Sequence, residues 1–232
     1  VLWENQGGAF QDVAPEKGYS ALGTGNYFLE QTGYGMLAEP GKTQGSFVGS
    51  NGFGVDCADL NNDGYMDILL STISHANPQD YSRLWSDPSQ LLINKGPEEN
   101  FAFVNEFLER GLPFNEGDID VAAIDFDNDG RLDISFSREN KYEGNYLDEE
   151  QKGWFGLMHQ QADGTFESLG YVSGINDSNE DLMRMKGAQN HAWTDIDRDG
   201  DLDLLVGGRD QGGGRPNFLF RNNSWILWCC SN

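Results

Sequence analysis

The sequence predicts an all-β fold made of propeller-blade units, four antiparallel strands each, with about three and a half blades present in 232 residues. Three observations carry this. A nine-residue aspartate-rich loop recurs three times at near-constant spacing, a short apolar element follows each copy in the same order, and sustained helical periodicity is missing.

The loops read Asp59-Leu60-Asn61-Asn62-Asp63-Gly64-Tyr65-Met66-Asp67, Asp125-Phe126-Asp127-Asn128-Asp129-Gly130-Arg131-Leu132-Asp133 and Asp195-Ile196-Asp197-Arg198-Asp199-Gly200-Asp201-Leu202-Asp203. Their first aspartates, at positions 59, 125 and 195, are 66 and 70 residues apart. The second element is Leu91-Leu92-Ile93-Asn94, Leu157-Met158-His159-Gln160 and Leu219-Phe220-Arg221-Asn222, lying 32, 32 and 24 residues beyond the first aspartate of its repeat. A fourth copy, Leu2-Trp3-Glu4-Asn5, opens the chain and runs into Gly7-Gly8-Ala9-Phe10. Asp163-Gly164-Thr165-Phe166 has the same ending, a tight turn before an aromatic, which signals a hairpin. The loop belonging to that first copy would lie 24–32 residues ahead of Leu2, so the chain is expected to begin in mid-repeat.

The flanks of each loop read as strands. Gly54 to Ala58, Val121 to Ile124 and His191 to Thr194 precede the loops; Met66 to Leu70, Leu132 to Phe136 and Leu202 to Val206 follow them. These are short apolar and β-branched runs bounded by Gly and Asn. Each unit therefore reads strand, acidic loop, strand, variable loop, strand, turn, strand. Asn105 to Arg110 and Asp181 to Lys186 suit a helical turn at most. A β-sandwich is the architectural alternative, but it does not account for the fixed loop position. The organisation is thus 1–20, the end of a truncated repeat; 21–53, a connecting region; 54–117 and 118–187, repeats with the first and second loops; and 188–232, an incomplete repeat with the third loop and an atypical tail. That tail, Trp225 to Cys230, is expected to end before a fourth strand. Two stretches, Gly18 to Asn51 (with Tyr27, Phe28 and Tyr34) and Ser74 to Ser89 (with Tyr81 and Trp85), read as long inter-strand loops of the kind that carry binding function.

Composition narrows the partners. Thirty-eight acidic against fifteen basic side chains leave a formal charge of -23, which repels nucleic-acid phosphates and anionic membrane surfaces and attracts cations. An aromatic content of 12% and 30 glycines speak for a folded, turn-rich chain rather than a disordered acidic one. No run approaches the roughly 20 apolar residues of a membrane span. The three cysteines, Cys57, Cys229 and Cys230, form no zinc-type spacing. The chain opens at Val1 with no signal-peptide pattern, as a processed product or a fragment would.

The loops have the chemistry of a hard-cation site. Aspartate at positions 1, 3, 5 and 9 sets short carboxylate arms around one point, Gly at position 6 permits a sharp turn, and the position-7 carbonyl can add a ligand. Oxygen donors in a flexible arrangement favour Ca²⁺ over soft-ligand metals and over Mg²⁺, which demands a rigid octahedron. Without an ion, each like-charge pair near 4 Å costs on the order of 1–4 kcal/mol. The expected ligands are Asp59, Asn61, Asp63, Asp67 and the Tyr65 carbonyl; Asp125, Asp127, Asp129, Asp133 and the Arg131 carbonyl; and Asp195, Asp197, Asp199, Asp203 and the Asp201 carbonyl, for about three ions. Asn61 leaves the first loop one charge short, so that loop is expected to bind most weakly. The ions are expected to be structural, tying two strands of one unit together. An EF-hand needs a glutamate at position 12 and flanking helices, whereas Leu70, Phe136 and Val206 stand there. Dockerin-type repeats need a helix directly after the loop and much closer copies.

Asp-x-Asp/Asn-x-Asp-Gly-x-x-Asp followed by an apolar strand, and then Leu219-Phe220-Arg221-Asn222-Asn223, resembles the FG-GAP/VCBS repeats of integrin-α-like β-propellers and of many secreted bacterial proteins. Residues 1–18 resemble the end of such a repeat, and the likeness covers about two-thirds of the chain. It implies a calcium-loaded propeller of about seven blades, exported to an extracellular or periplasmic site. This chain has too few loops for such a ring, so a partial propeller or an incomplete gene product is expected, with closure on itself, by a partner chain or by further blades as the alternatives.

His75, His159 and His191 are the only histidines. His159 occupies a strand position, and His191 precedes the third loop, where a strand role competes with one at a ligand-binding mouth. No nucleophile elbow or phosphate-cradling glycine loop occurs; Gly207-Gly208 and Gly212-Gly213-Gly214 read as turns. Asn176 and Asn222 begin Asn-x-Ser sequons. The expected function is a non-catalytic extracellular adhesion or binding module contacting protein or carbohydrate through its inter-strand loops. The rival is the propeller portion of a secreted polysaccharide lyase or sugar-modifying enzyme.

Overall fold

Each acidic loop hands the chain from one strand to an antiparallel neighbour, and two further strands complete each unit. The computed structural model describes residues 2–14, 16–18, 52–73, 89–113, 115, 117–138, 155–169, 173, 175, 188–208, 217–223 and 227–229. Most of the two expected long loops, the suggested turn at Asp181 to Lys186, His75, the Asn176 sequon, Gly212-Gly213-Gly214 and Cys230 lie outside these residues.

The described chain is all-β. Strands β1 (Trp3–Gln6) and β2 (Ala9–Asp12) form a hairpin across the expected Gly7-Gly8 turn. Next come β3 (Gly52–Ala58), β4 (Asp67–Thr72), β5 (Gln90–Asn94) and β6 (Phe103–Asn105), hydrogen-bonded in that order. A second sheet holds β7 (Asp118–Ile124), β8 (Asp133–Arg138), β9 (Phe155–Gln160) and β10 (Phe166–Ser168). A third holds β11 (Ala188–Thr194), β12 (Asp203–Gly208), β13 (Phe218–Asn222) and β14 (Leu227–Cys229). All neighbours are antiparallel, and each first strand carries the same register shift near its start, at 52/54, 118/120 and 188/190. The described residues do not close into a ring, and no helix among them is long and apolar enough to cross a membrane.

The tail corrects one expectation. Leu227–Cys229 pairs with β13, Asn222 facing Leu227 and Phe220 facing Cys229. The third sheet therefore has its fourth strand, because backbone pairing there does not need the side-chain pattern of the other repeats.

Strand alternation sends apolar side chains to both faces of the middle sheet. Ile134, Phe136 and Met158 join Leu60, Leu69, Leu91 and Ile93 in one core shared with the first sheet. Phe155 and Leu157 join Phe126, Leu204, Val206, Phe218 and Phe220 in a second core shared with the third. Polar ties cross the same seams. Ala123 N–H donates to Asp56 Oδ2 (2.9 Å) and Ser71 Oγ–H to the Ile119 carbonyl (2.9 Å) at the first seam. At the second, His191 N–H donates to Asp120 Oδ2 (3.0 Å) and Trp193 Nε1–H to Ser135 Oγ (2.9 Å). The first seam is tight enough that a Cβ on Gly54 would stand 2.6 Å from Ser71 Oγ and 3.0 Å from Asp120 Cα.

One position measures the stacking. The second loop residue is Leu60 (0% exposed), Phe126 (1%) and Ile196 (50%). Leu60 and Phe126 are each covered by the sheet that follows; among the described residues no sheet follows the third. Phe126→Ala should therefore lower unfolding free energy by about 3–5 kcal/mol, and Ile196→Ala by less than about 1 kcal/mol, in urea titrations. Equal losses would show that this account of the stacking is wrong.

Candidate metal centre

Short aspartates followed by a glycine favour tight side-chain-to-backbone turns, and the three loops fold alike. The first aspartate caps the turn with both oxygens. Asp59 accepts from Asp63 N–H (2.9 Å) and Gly64 N–H (2.8 Å), Asp125 from Asp129 N–H and Gly130 N–H (both 3.0 Å), and Asp195 from Asp199 N–H and Gly200 N–H (both 3.2 Å). The fifth aspartate accepts from the position-7 N–H: Tyr65 to Asp63 (2.9 Å), Arg131 to Asp129 (2.8 Å) and Asp201 to Asp199 (3.0 Å). Gly64, Gly130 and Gly200 adopt φ of 89°, 87° and 97°, as the turn requires.

The ninth aspartates are fully buried, and each bridges three parts of its unit. Asp67 Oδ2 accepts from Leu60 N–H (2.9 Å) and Oδ1 from Asn94 N–H (2.8 Å). Asp133 does the same with Phe126 (3.3 Å) and Gln160 (2.8 Å), and Asp203 with Ile196 (3.0 Å) and Asn222 (2.9 Å). The carboxylate thus pins the start of the loop and the end of the third strand to the first residue of the second strand. Side-chain amides extend the tie to the preceding unit: Gln160 Nε2 donates to the Leu60 carbonyl (2.8 Å) and Asn222 Nδ2 to the Phe126 carbonyl (3.0 Å). Asn222 is buried by this contact, so its sequon is not presented at the surface.

Donor atoms of Asp125, Asp127 and Asp133 lie within 4.8 Å of one another, as do those of Asp195, Asp197 and Asp199, and those of Asp127, Asp129 and His159. These groups have the donor set and spacing to hold a metal ion. In the first loop, where Asn61 replaces the acid at position 3, no three acidic or histidine side chains gather in this way among the described residues. The third loop's group of three does not include Asp203. The Asp127 side chain is fully buried, and its Oδ2 has no hydrogen-bond partner, which suits an ion ligand.

Crowded, buried carboxylates resist ionisation. Burial raises Asp67, and the charges of Asp63 and Asp59 add to it, against the N–H groups of Asn94 and Leu60. Burial and the Asp129 charge raise Asp127. Asp133 is pushed up to about 6, by burial first and by the Asp127 charge, even though the Gln160 N–H and His159 favour its anion.

Several features were not read from sequence. Position 4 is also left-handed, with φ of 56° at Asn62, 59° at Asn128 and 65° at Arg198. Asn at two of the three copies was the available signal. His159 does not merely fill a strand position: its Nδ1 stands 3.0 Å from Asp133 Oδ1 and 3.6 Å from Asp127 Oδ2. His191 lies inside the second seam rather than at a mouth, its Nε2 2.8 Å from Ser135 Oγ and its ring edge-on to Phe155. There it opposes the burial of Asp120 strongly enough to hold that carboxyl below its usual range. No protein-family model matches the chain, and no curated protein matches it.

Two outcomes follow from this geometry. Asp133 binds its proton more tightly in the folded chain (about 6) than in the unfolded one (about 4), so its contribution to stability is greatest at low pH. Without metal, that contribution is lost as pH rises from about 4 through about 6, while cation affinity at the second loop should weaken as pH falls below about 6. Cation titrations at several pH values, with denaturant titrations in chelator, check both directions. Separately, Arg198→Asn relieves an unfavourable left-handed residue and should raise stability by up to about 1 kcal/mol in urea titrations.

Proposed function

We propose that this chain is a calcium-binding β-propeller module of the FG-GAP/VCBS kind, its three four-stranded sheets being consecutive blades and its β1–β2 hairpin the outer half of another. What carries the reading is the same acidic loop, with the same capping bonds, at the same place in three sequential antiparallel sheets. The face-to-face cores between consecutive sheets support the blade assignment.

In this reading Asp59, Asn61 and Asp63, and their counterparts Asp125, Asp127, Asp129 and Asp195, Asp197, Asp199, hold the ions with the carbonyls of Tyr65, Arg131 and Asp201. Asp67, Asp133 and Asp203 contribute while clamping the backbone. A bound ion supplies positive charge that offsets the repulsion within each loop. Its role is to lock two strands of a blade together. The module is extracellular or periplasmic and non-catalytic, recognising protein or carbohydrate through its inter-strand loops.

Calcium should raise the melting temperature and EDTA lower it, with about three ions bound and the first loop weakest. An unchanged melt at millimolar Ca²⁺ would sink the proposal. Asn61→Asp should tighten the weakest site in calorimetric titrations. Assaying binding and cleavage on a panel of acidic polysaccharides separates the module from an enzyme's propeller, since turnover of any member would overturn the non-catalytic reading.

A further inference from the structure

One repeat position on the third strand carries a different side chain in each unit and varies together with the third loop residue, which it faces in the second and third repeats. In the first repeat the pair is Ile93, buried in the core, with neutral Asn61. In the third it is Arg221, ion-paired with Asp197. In the second it is His159, which alone of the three side chains carries a nitrogen lone pair for a metal, with Asp127.

We propose, on the reading that these loops hold metal, that the second loop is a mixed nitrogen–oxygen site selecting a transition ion such as Zn²⁺ or Co²⁺ over Ca²⁺. Its donors are His159 Nδ1, Asp127 Oδ2 and a carboxylate oxygen of Asp129, residues whose donor atoms lie within 4.8 Å of one another. Nδ1 lies 3.6 Å from Asp127 Oδ2 and 3.0 Å from Asp133 Oδ1. Bonds of about 2.0–2.2 Å in a tetrahedron separate ligand atoms by about 3.3–3.6 Å, so His159 Nδ1 and Asp127 Oδ2 already stand at ligand spacing, and metal binding would replace the hydrogen bond of Nδ1 to Asp133 Oδ1. A second observation points to the same centre. Asp127 Oδ2 is buried without a hydrogen-bond partner on a side chain that is itself fully buried, and it faces the imidazole. A buried carboxylate oxygen left this way is costly unless a cation completes it. Imidazole suits zinc and its neighbours, whereas calcium prefers oxygen donors alone, so the histidine tips selectivity at this loop only. Asp127 also belongs to the all-oxygen group with Asp125 and Asp133, so the two kinds of ion compete for one centre.

The test is a Co²⁺ titration of metal-free protein, read by ligand-field absorption and repeated with Ca²⁺ as competitor. The expected result is one Co²⁺ per chain with a tetrahedral spectrum, displaced by Zn²⁺ and resistant to a tenfold excess of Ca²⁺. His159→Asn should weaken Co²⁺ about tenfold or more and remove the nitrogen-ligand spectrum, while Ca²⁺ still raises the melting temperature. Asp127→Asn, which keeps side-chain shape, should also weaken Co²⁺; melts in EDTA establish that both variants fold. Undiminished Co²⁺ affinity in His159→Asn, or Ca²⁺ displacing Co²⁺ as readily as Zn²⁺ does, would overturn the inference. A calcium-dependent melt without a Co²⁺ site defeats this inference alone; a Co²⁺ site without any calcium response defeats the calcium reading instead.

Discussion

The buried ninth aspartate of each loop is the interaction on which the rest of the architecture turns. Asp67, Asp133 and Asp203 are the first residues of β4, β8 and β12, and each holds the second loop residue and the last residue of the third strand. A carboxylate accepting two backbone N–H bonds is a strong, directional joint in a buried setting. It closes the loop with a side chain and leaves the apolar residues of the following strand free to alternate between two cores. At the second loop Asp133 also belongs to the acidic cluster, so there the joint that shapes the sheet also helps set its electrostatics.

Stacking propagates from this joint. Because the clamp fixes the second loop residue, Leu60 and Phe126 point into the seam with the next sheet, and their carbonyls receive the amides of Gln160 and Asn222 from that sheet. The middle sheet is buried on both faces as a result, and the histidines at its second seam and loop are drawn into structure. His191 is part of the second seam, and His159 reaches its own loop. Asp118 shows the cost of such burial: desolvation raises its carboxyl despite the adjacent Arg138 guanidinium.

The loops also carry an unresolved electrostatic tension. Several carboxylates sit within a few ångströms of one another, and nearby cations answer unevenly: Arg131 pairs with Asp129, Arg221 with Asp197, and the first loop replaces one acid by Asn61. Each repeat therefore solves the same repulsion differently on a nearly identical backbone.

Sequence by itself determined the strand content, the three loops, their register with the second element, and the hairpins at Gly7-Gly8 and Asp163-Gly164. These are encoded locally, by residue spacing and turn chemistry within nine or ten positions. Tertiary structure decided what local pattern does not encode. That Asp67, Asp133 and Asp203 would clamp backbone depended on the third strand returning to the loop, some 19–27 residues later. The pairing of Leu227–Cys229 with β13 came from backbone hydrogen bonding, to which side-chain pattern is a poor guide. His159 became a neighbour of Asp127 only because β9 lies against β8, and His191 left the surface only because the second and third sheets pack face to face. Contacts between residues far apart in sequence depend on which faces meet, and that is settled by burial across the whole stack.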